Sequence, residues 1–472
     1  MFCGVEPGVE TPGYFQLAPF RRVRSRGSQV VWLSHRIHPM FSERTNWRLT
    51  QNRFTQAVEE VRGRGVRVLD LTASNPTRVG LEYDSSAILD GLRSERALDY
   101  DPQAKGLLSA REAVARYYRE RCSRGERDVA SNVSTDRAAN PQGSFQVDPE
   151  RIVLTTSTSE GYSYVFRLLC NAGDELLVPK PSYPLFEFLA DLQDVKLVPY
   201  PLIYDHGWQM DFHSMEKAVT ARTRGVVVVH PNNPTGSYVH AGELGALNQF
   251  CRAHGLAVIV DEVFLDYARD DEISAADAVE LRSTGQPMAA VPTCSLAASS
   301  FIGNEDVLTF TLSGLSKISA LPQMKVAWVV TSGPPEEVQA AIARLEVIAD
   351  TYLSMNAPVQ WAVPAMLEQR ESVQRQLLER VRRNLAELDR QLAAQKACQR
   401  LGVEGGWYAV LRVPVTRSDE ELAIELVKEK AVLVHPGHFY DFESDGYLVL
   451  SLIAPEADFE QGIERLLDFV SH

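Results

Sequence analysis

The chain has 472 residues, of which 45% are apolar and 23% charged, and a formal net charge of −14. That length exceeds one simple core and predicts a large domain with a smaller companion, while the negative charge argues against a nucleic-acid partner. No apolar run approaches the roughly 20 residues of a membrane helix, and six scattered cysteines without a CxxC pair predict free thiols in a reducing cytoplasm and no metal.

Residues 1–39 carry Arg21, Arg22, Arg24 and Arg26 but no periodic apolar pattern. They read as a disordered extension or a start assigned too far upstream, with Met40 as the alternative start. Helical spacing of Phe54, Val58 and Val61 predicts a helix over 50–64, followed by a strand over Val66–Leu71 and a turn, ASNPTR, at 73–78. A second helix is expected over 107–122, then a polar, exposed excursion over 123–147. From 151 onward short apolar runs alternate with amphipathic segments: Ile152–Thr156, Glu175–Val178, Val195–Tyr200, Val226–His230, Leu256–Val260, Val307–Leu312 and Val326–Val330. Several runs are continuous, as strands covered on both faces are. This predicts an α/β fold with a mostly parallel, seven-stranded-type sheet between helices that binds ligands at its carboxyl ends.

A Ser/Ala/Pro-rich insertion occupies 284–304. Further on, Leu377, Val381, Leu385, Leu388 and Leu392 mark one long amphipathic helix. Strands over 407–412, 431–434 and 447–452 and a helix over 457–470 complete a smaller α+β domain. The expected division is a large domain over 80–340 and a small one built from 40–79 and 341–472.

Five stretches carry candidate chemistry. Lys317, beside Ser316, follows a buried strand in a loop. An amine there can lose its proton and bond a carbonyl carbon, or it can be a solvated loop lysine. HPNNPTGS, 230–237, follows a strand and pre-shapes a turn that can aim Asn233 into a cleft. VIVDEVF, 258–264, ends a strand on Asp261, a carboxylate that needs a cation or a donor if buried; an N-cap or structural ion pair is the alternative. TTSTSEGY, 155–162, offers the hydroxyls of Ser157 and Thr158 at a helix start, which suits a phosphate as well as an ordinary cap. PKPSYPLFE, 179–187, holds Tyr183 between prolines, as a flat ring for stacking or a packed core residue.

In this order, from about Met40 to the end, these stretches resemble the class I/II aminotransferases, the fold-type I enzymes that use pyridoxal 5'-phosphate. The resemblance implies that Lys317 forms a Schiff base with the cofactor aldehyde and then shuttles a proton. Asp261 would pair with the ring nitrogen, Asn233 with the ring oxygen, and Tyr183 would stack on the ring. Ser157, Thr158, Ser316 and Lys325 would hold the phosphate, and Tyr100, in YDPQAKG, would reach the phosphate of a neighbouring subunit. A homodimer with shared active sites is thereby implied. Ser74, Asn75 and Arg78 of the 73–78 turn are the candidate substrate contacts.

The chain departs from that family in four places. Phe264 stands for a tyrosine near the ring oxygen, so one hydrogen bond should be missing. Lys325 stands for an arginine and loses the bidentate fork. Thr156–Thr158 replaces a more glycine-rich phosphate turn. Val449, in YLVLSL, stands where an arginine grips the substrate carboxylate, which leaves Arg78, His435, His438 or Tyr440 as candidate replacements. The leading expectation is an aminotransferase acting on an amino acid and a 2-oxo acid. A lyase or decarboxylase on the same scaffold and a non-catalytic cofactor-binding homologue are the alternatives.

Overall fold

The computed structural model describes residues 40–47, 49–132, 147–269, 300–353 and 355–471. The extension 1–39 and most of the 284–304 insertion lie outside the described residues. In chain order the first strands are β1 (Leu69–Asp70), β2 (Ile152–Thr155), β3 (Glu175–Lys180), β4 (Lys196–Tyr204) and β5 (Trp208–Met210). They are followed by β6 (Thr223–Val229), β7 (Ala257–Asp261), β8 (Thr309–Gly314) and β9 (Ala327–Ser332). The large sheet runs β2-β9-β8-β7-β6-β3-β4-β5. Its centre, β4-β3-β6-β7-β8, is parallel, and β9 and β5 run against their neighbours.

The continuous apolar runs arise because each face of this sheet meets its own core. Val227, Val229 and Ile259 pack with Tyr162, Phe166 and Leu345 on one side. Their alternates Val226, Val228, Val258 and Val260 pack with Leu247, Phe250 and Cys251 on the other. The period of two in side-chain direction thus distributes a single run between two cores.

The remaining strands are β10 (Gln399–Arg400), β11 (Tyr408–Arg412), β12 (Val432–Leu433), β13 (His435–Pro436) and β14 (Tyr447–Ser451). An antiparallel sheet runs β10-β11-β14-β13, and β1 pairs with β12. Helix Arg370–Leu392 lays Leu377, Val381, Leu385 and Leu388 on this smaller sheet, joined by Phe459, Ile463 and Leu466 of helix Glu456–Ser471. Each such leucine contributes roughly 1.5–3 kcal/mol by leaving water. Helix Arg53–Gly63, capped by Asn52 Oδ1 accepting from the Thr55 N–H at 2.7 Å, packs here too.

Local limits differ from the sequence expectation in places. The strand expected over Val66–Leu71 shrinks to Leu69–Asp70 because Gly63–Arg67 is exposed. The second helix continues to Asn132. Helix Pro335–Tyr352 runs through residue 341 and buries Ala341, Leu345 and Ala349 in the large-sheet core, and helix Ala357–Glu368 packs on helix Leu108–Asn132.

Where the two sheets meet, backbone touches backbone. A Cβ on Gly236 would stand 2.5 Å from the Gly405 carbonyl oxygen, and Gly236 has φ +71°, which favours glycine. A Cβ on Gly405 would stand 2.6 Å from the Tyr238 ring. Among the described residues no helix is long and apolar enough to cross a membrane.

Candidate active site

Three neighbouring parallel strands deliver the candidate groups at their carboxyl ends. Asn233 follows β6, Asp261 closes β7, and Lys317 sits on the one-turn helix Leu315–Ile318 directly after β8. The apolar strands that make the sheet therefore also carry polar residues to one edge, where a ligand site in such sheets forms.

Asp261 accepts from the Tyr162 hydroxyl at 3.1 Å and from the Val263 N–H at 3.0 Å. Burial nevertheless pushes its carboxyl up to about 6, against the opposing effects of those donors and of Lys317. Lys317 shows the mirror image. Burial pushes its amine down to about 8, and the charge of Asp261 pulls it back up. Its Nζ lies 3.4 Å from the Ser74 carbonyl oxygen, 4.7 Å from the Trp407 ring centre and 5.3 Å from the Phe264 ring centre. The lowered pKa raises the unprotonated share of this amine near neutral pH, the form a nucleophile needs.

The two asparagines after β6 have separate tasks. Asn232 donates to the Pro181 carbonyl at 3.1 Å and to Thr235 Oγ1 at 2.9 Å, and accepts from Ser182 Oγ at 3.1 Å. Asn233 is 7% exposed, and its Oδ1 is buried with no hydrogen-bond partner. An orphaned buried oxygen costs about 1–3 kcal/mol, which a ligand would relieve. A pyridine-type cofactor fits these groups: a cationic ring nitrogen for Asp261, a ring hydroxyl for Asn233 and an aldehyde for Lys317.

A phosphate fits the start of helix Thr158–Leu169. Ser157 Oγ accepts from the Glu160 N–H at 3.1 Å, capping the helix, and keeps its own proton to donate. Thr156 is already engaged, its N–H and hydroxyl both donating to Glu160 Oε2 at 2.7 and 3.0 Å. Ser316 is half-buried beside Lys317, and Lys325 is exposed with φ 54° at the end of the next turn. Tyr183, half-buried, touches both the large-sheet and the small-sheet cores.

The remaining candidates stand further out. Asn75 Oδ1 accepts from the Thr77 N–H at 3.1 Å and caps the turn Pro76–Arg78, leaving Asn75 and Arg78 exposed. Tyr100 is 81% exposed, beside Leu98 at 91%, and with Leu353 it lines a cleft of about 190 Å³. Val449 is fully buried between Val410 and His435. His435 bonds Tyr440 through Nδ1 at 3.0 Å, and burial drives its pKa down to about 3. Burial thus disfavours the charged form of His435 as a carboxylate ligand. Tyr440 is buried with it, and His438 is half-buried.

The sequence reading did not single out Tyr162, Trp407, Tyr267 or Gln374. Tyr162 was in view: it closes TTSTSEGY, five residues after the cap, on the helix face turned toward the sheet. Nothing local marks the other three.

Residues 87–466 match the family model for aminotransferase class I and II. The glutamate-pyruvate aminotransferase AlaA of Escherichia coli is 30% identical over 309 residues, 66% of this chain and 65% of that protein. The chain thus spans just under two thirds of that relative. The alanine aminotransferase of Mycobacterium tuberculosis is 26% identical over 424 residues, 88% of each chain. A solved alanine aminotransferase from Pyrococcus furiosus shares the fold with a TM-score of 0.71, at 18% identity, over 89% of this chain and 96% of its own.

Proposed function

Because the chain belongs to the class I and II aminotransferases, a pyridoxal-phosphate-dependent family, we propose that it moves an amino group from an amino acid to a 2-oxo acid. The cofactor, when bound, supplies an aldehyde and an electron-withdrawing ring. Lys317 is the amine that holds the aldehyde and, once released, takes the proton from the substrate α-carbon and returns it. Asp261 keeps the ring nitrogen protonated, Asn233 holds the ring oxygen, and Tyr183 covers the ring face. Ser157, Thr158, Ser316 and Lys325 anchor the phosphate. Trp407 and Phe264 wall the amine from water. Tyr100, exposed here, completes the phosphate site of a second copy, so the working form is a homodimer. A cytoplasmic setting accords with Cys170, Cys251 and Cys398, which form no disulfide among the described residues.

One observation carries this reading. Lys317 and Asp261 are displaced in opposite directions by burial at the ends of adjacent strands, and each lacks the full complement that a bound cationic ring and aldehyde would provide. Alanine and glutamate are the proposed amino donors, from the relatives' names. With Val449 in place of a cation, Arg78 is the proposed carboxylate ligand. It stands four residues beyond Ser74, whose carbonyl meets the amine.

Borohydride should fix the cofactor onto the peptide containing Lys317, and alanine or glutamate should bleach the imine band in a single half-reaction. Attachment elsewhere would sink the assignment. The apolar Val449 position favours one second reading, a lyase or decarboxylase. Release of pyruvate, ammonia or carbon dioxide with the band intact under every donor would establish it.

A further inference from the structure

The turn that carries Lys317 is held from outside at three carbonyls. The Tyr267 hydroxyl donates to the Lys317 oxygen, Gln374 Nε2 to the Ile318 oxygen and the Tyr83 hydroxyl to the Ala320 oxygen, each at 2.8 Å. The Lys317 oxygen also accepts from the Ala320 N–H at 3.2 Å inside the turn, but a one-turn helix leaves most of its carbonyls without such a donor, and Ala320 adds a left-handed residue at φ 51°. The turn keeps its shape through these side chains.

Gln374 differs from the two tyrosines because its amide has two hydrogens and uses both. The second bond goes to Asp266 Oδ2, also at 2.8 Å. Asp266 lies in the turn Leu265–Tyr267, five residues after Asp261, and that segment supplies both Phe264 and Tyr267. It is fixed in turn by Arg121 Nε at 3.0 Å and the Tyr117 hydroxyl at 2.9 Å from helix Leu108–Asn132. Gln374 itself stands in the second turn of helix Arg370–Leu392, whose later turns pack on the small sheet.

We propose that Gln374 is a positioning residue for the amine: one side-chain amide pins the Lys317 turn to the turn that follows Asp261, and so sets the spacing between amine and acid. This rests on the reading of Lys317 as the imine-forming lysine. Asp261 faces the amine, and Asp266, Arg121 and Tyr117 face Gln374 or its partner. Gln374 touches neither amine nor acid, so its effect runs through geometry alone.

The test is Gln374→Met, which keeps the length and removes both donors. In the holoenzyme the pH midpoint of the imine band should move by about half a unit or more. The value of kcat should fall about ten-fold, with the donor KM within roughly two-fold. Cofactor-free protein should also take up pyridoxal phosphate several-fold more slowly. If that variant does not fold, Gln374→Glu carries the same test from its half-buried position, with a larger midpoint shift because two carboxylates then face each other. A folded variant with the wild-type midpoint and kcat overturns the proposal. Wild-type protein that borohydride labels at a lysine other than 317 overturns the underlying reading instead, which separates the two failures.

Discussion

The two ends of the large sheet treat charge differently. At the amino-terminal ends Arg224 meets Asp174 at 2.9 Å and Arg252 meets Asp306 at 2.8 Å, around a cleft of about 490 Å³. Arg252 and Asp306 are 59% and 61% exposed, and such pairs contribute at most about 1 kcal/mol. At the carboxyl ends Asp261 and Lys317 are half-buried, and loss of water around them displaces both. Glu262, next in sequence, is buried more deeply, and although it accepts from Ser300 Oγ and the Phe301 N–H, both at 2.6 Å, burial pushes it up to about 7. What marks the carboxyl-end edge is a group of ionisable side chains, Asp261, Glu262 and Lys317, that burial displaces from their ordinary pKa.

Lys317→Ala would break this contrast most severely: turnover should fall by at least about 10³-fold with the circular dichroism spectrum unchanged. Asp261→Asn should lower kcat by roughly 10²–10³-fold and, in cofactor-free protein, raise stability. The wild-type carboxyl titrates at about 6 rather than 3.8, so the folded state retains its proton longer than the unfolded state. Wild-type stability should therefore decline between those pH values relative to the variant, leaving a gap of up to about 3 kcal/mol above pH 6 and none below pH 4. Denaturant melts across pH 4–8 measure it. Leu377→Ala, far from the reactive edge and fully buried, should do the reverse, costing about 2–5 kcal/mol in the same melts while the midpoint of the imine band stays put. The smallest effect is expected for Arg78→Ala, about 10–100-fold in kcat/KM for alanine, expressed in KM.

The legible parts of the chain are those whose signal is local. Val226–Val229 and Val258–Val260 announce a doubly covered sheet by their continuity, and the residues that close or follow these strands, Asn233 and Asp261, stand in short motifs. Lys317 is marked in the same way. Tyr267, Gln374 and Trp407 converge on that lysine from separate segments, and no window of sequence contains more than one of them. Helix 335–352 shows the same limit. An amphipathic helix reveals that it has an apolar face, not which core the face will join, so a boundary at 341 falls within an element that belongs with the large sheet. We place the change of allegiance near Arg370, where Val373 and Leu377 join the other core.

The contact of Gly236 with Gly405 has a consequence for how this molecule can vary. With no side chains between them, the loop presenting Asn233 and the loop leading into Trp407 share one fixed clearance. A single methyl at either position would act as a wedge and push these two loops apart. Under the proposed function, substrate preference is then tunable from a glycine contact between the two sheets.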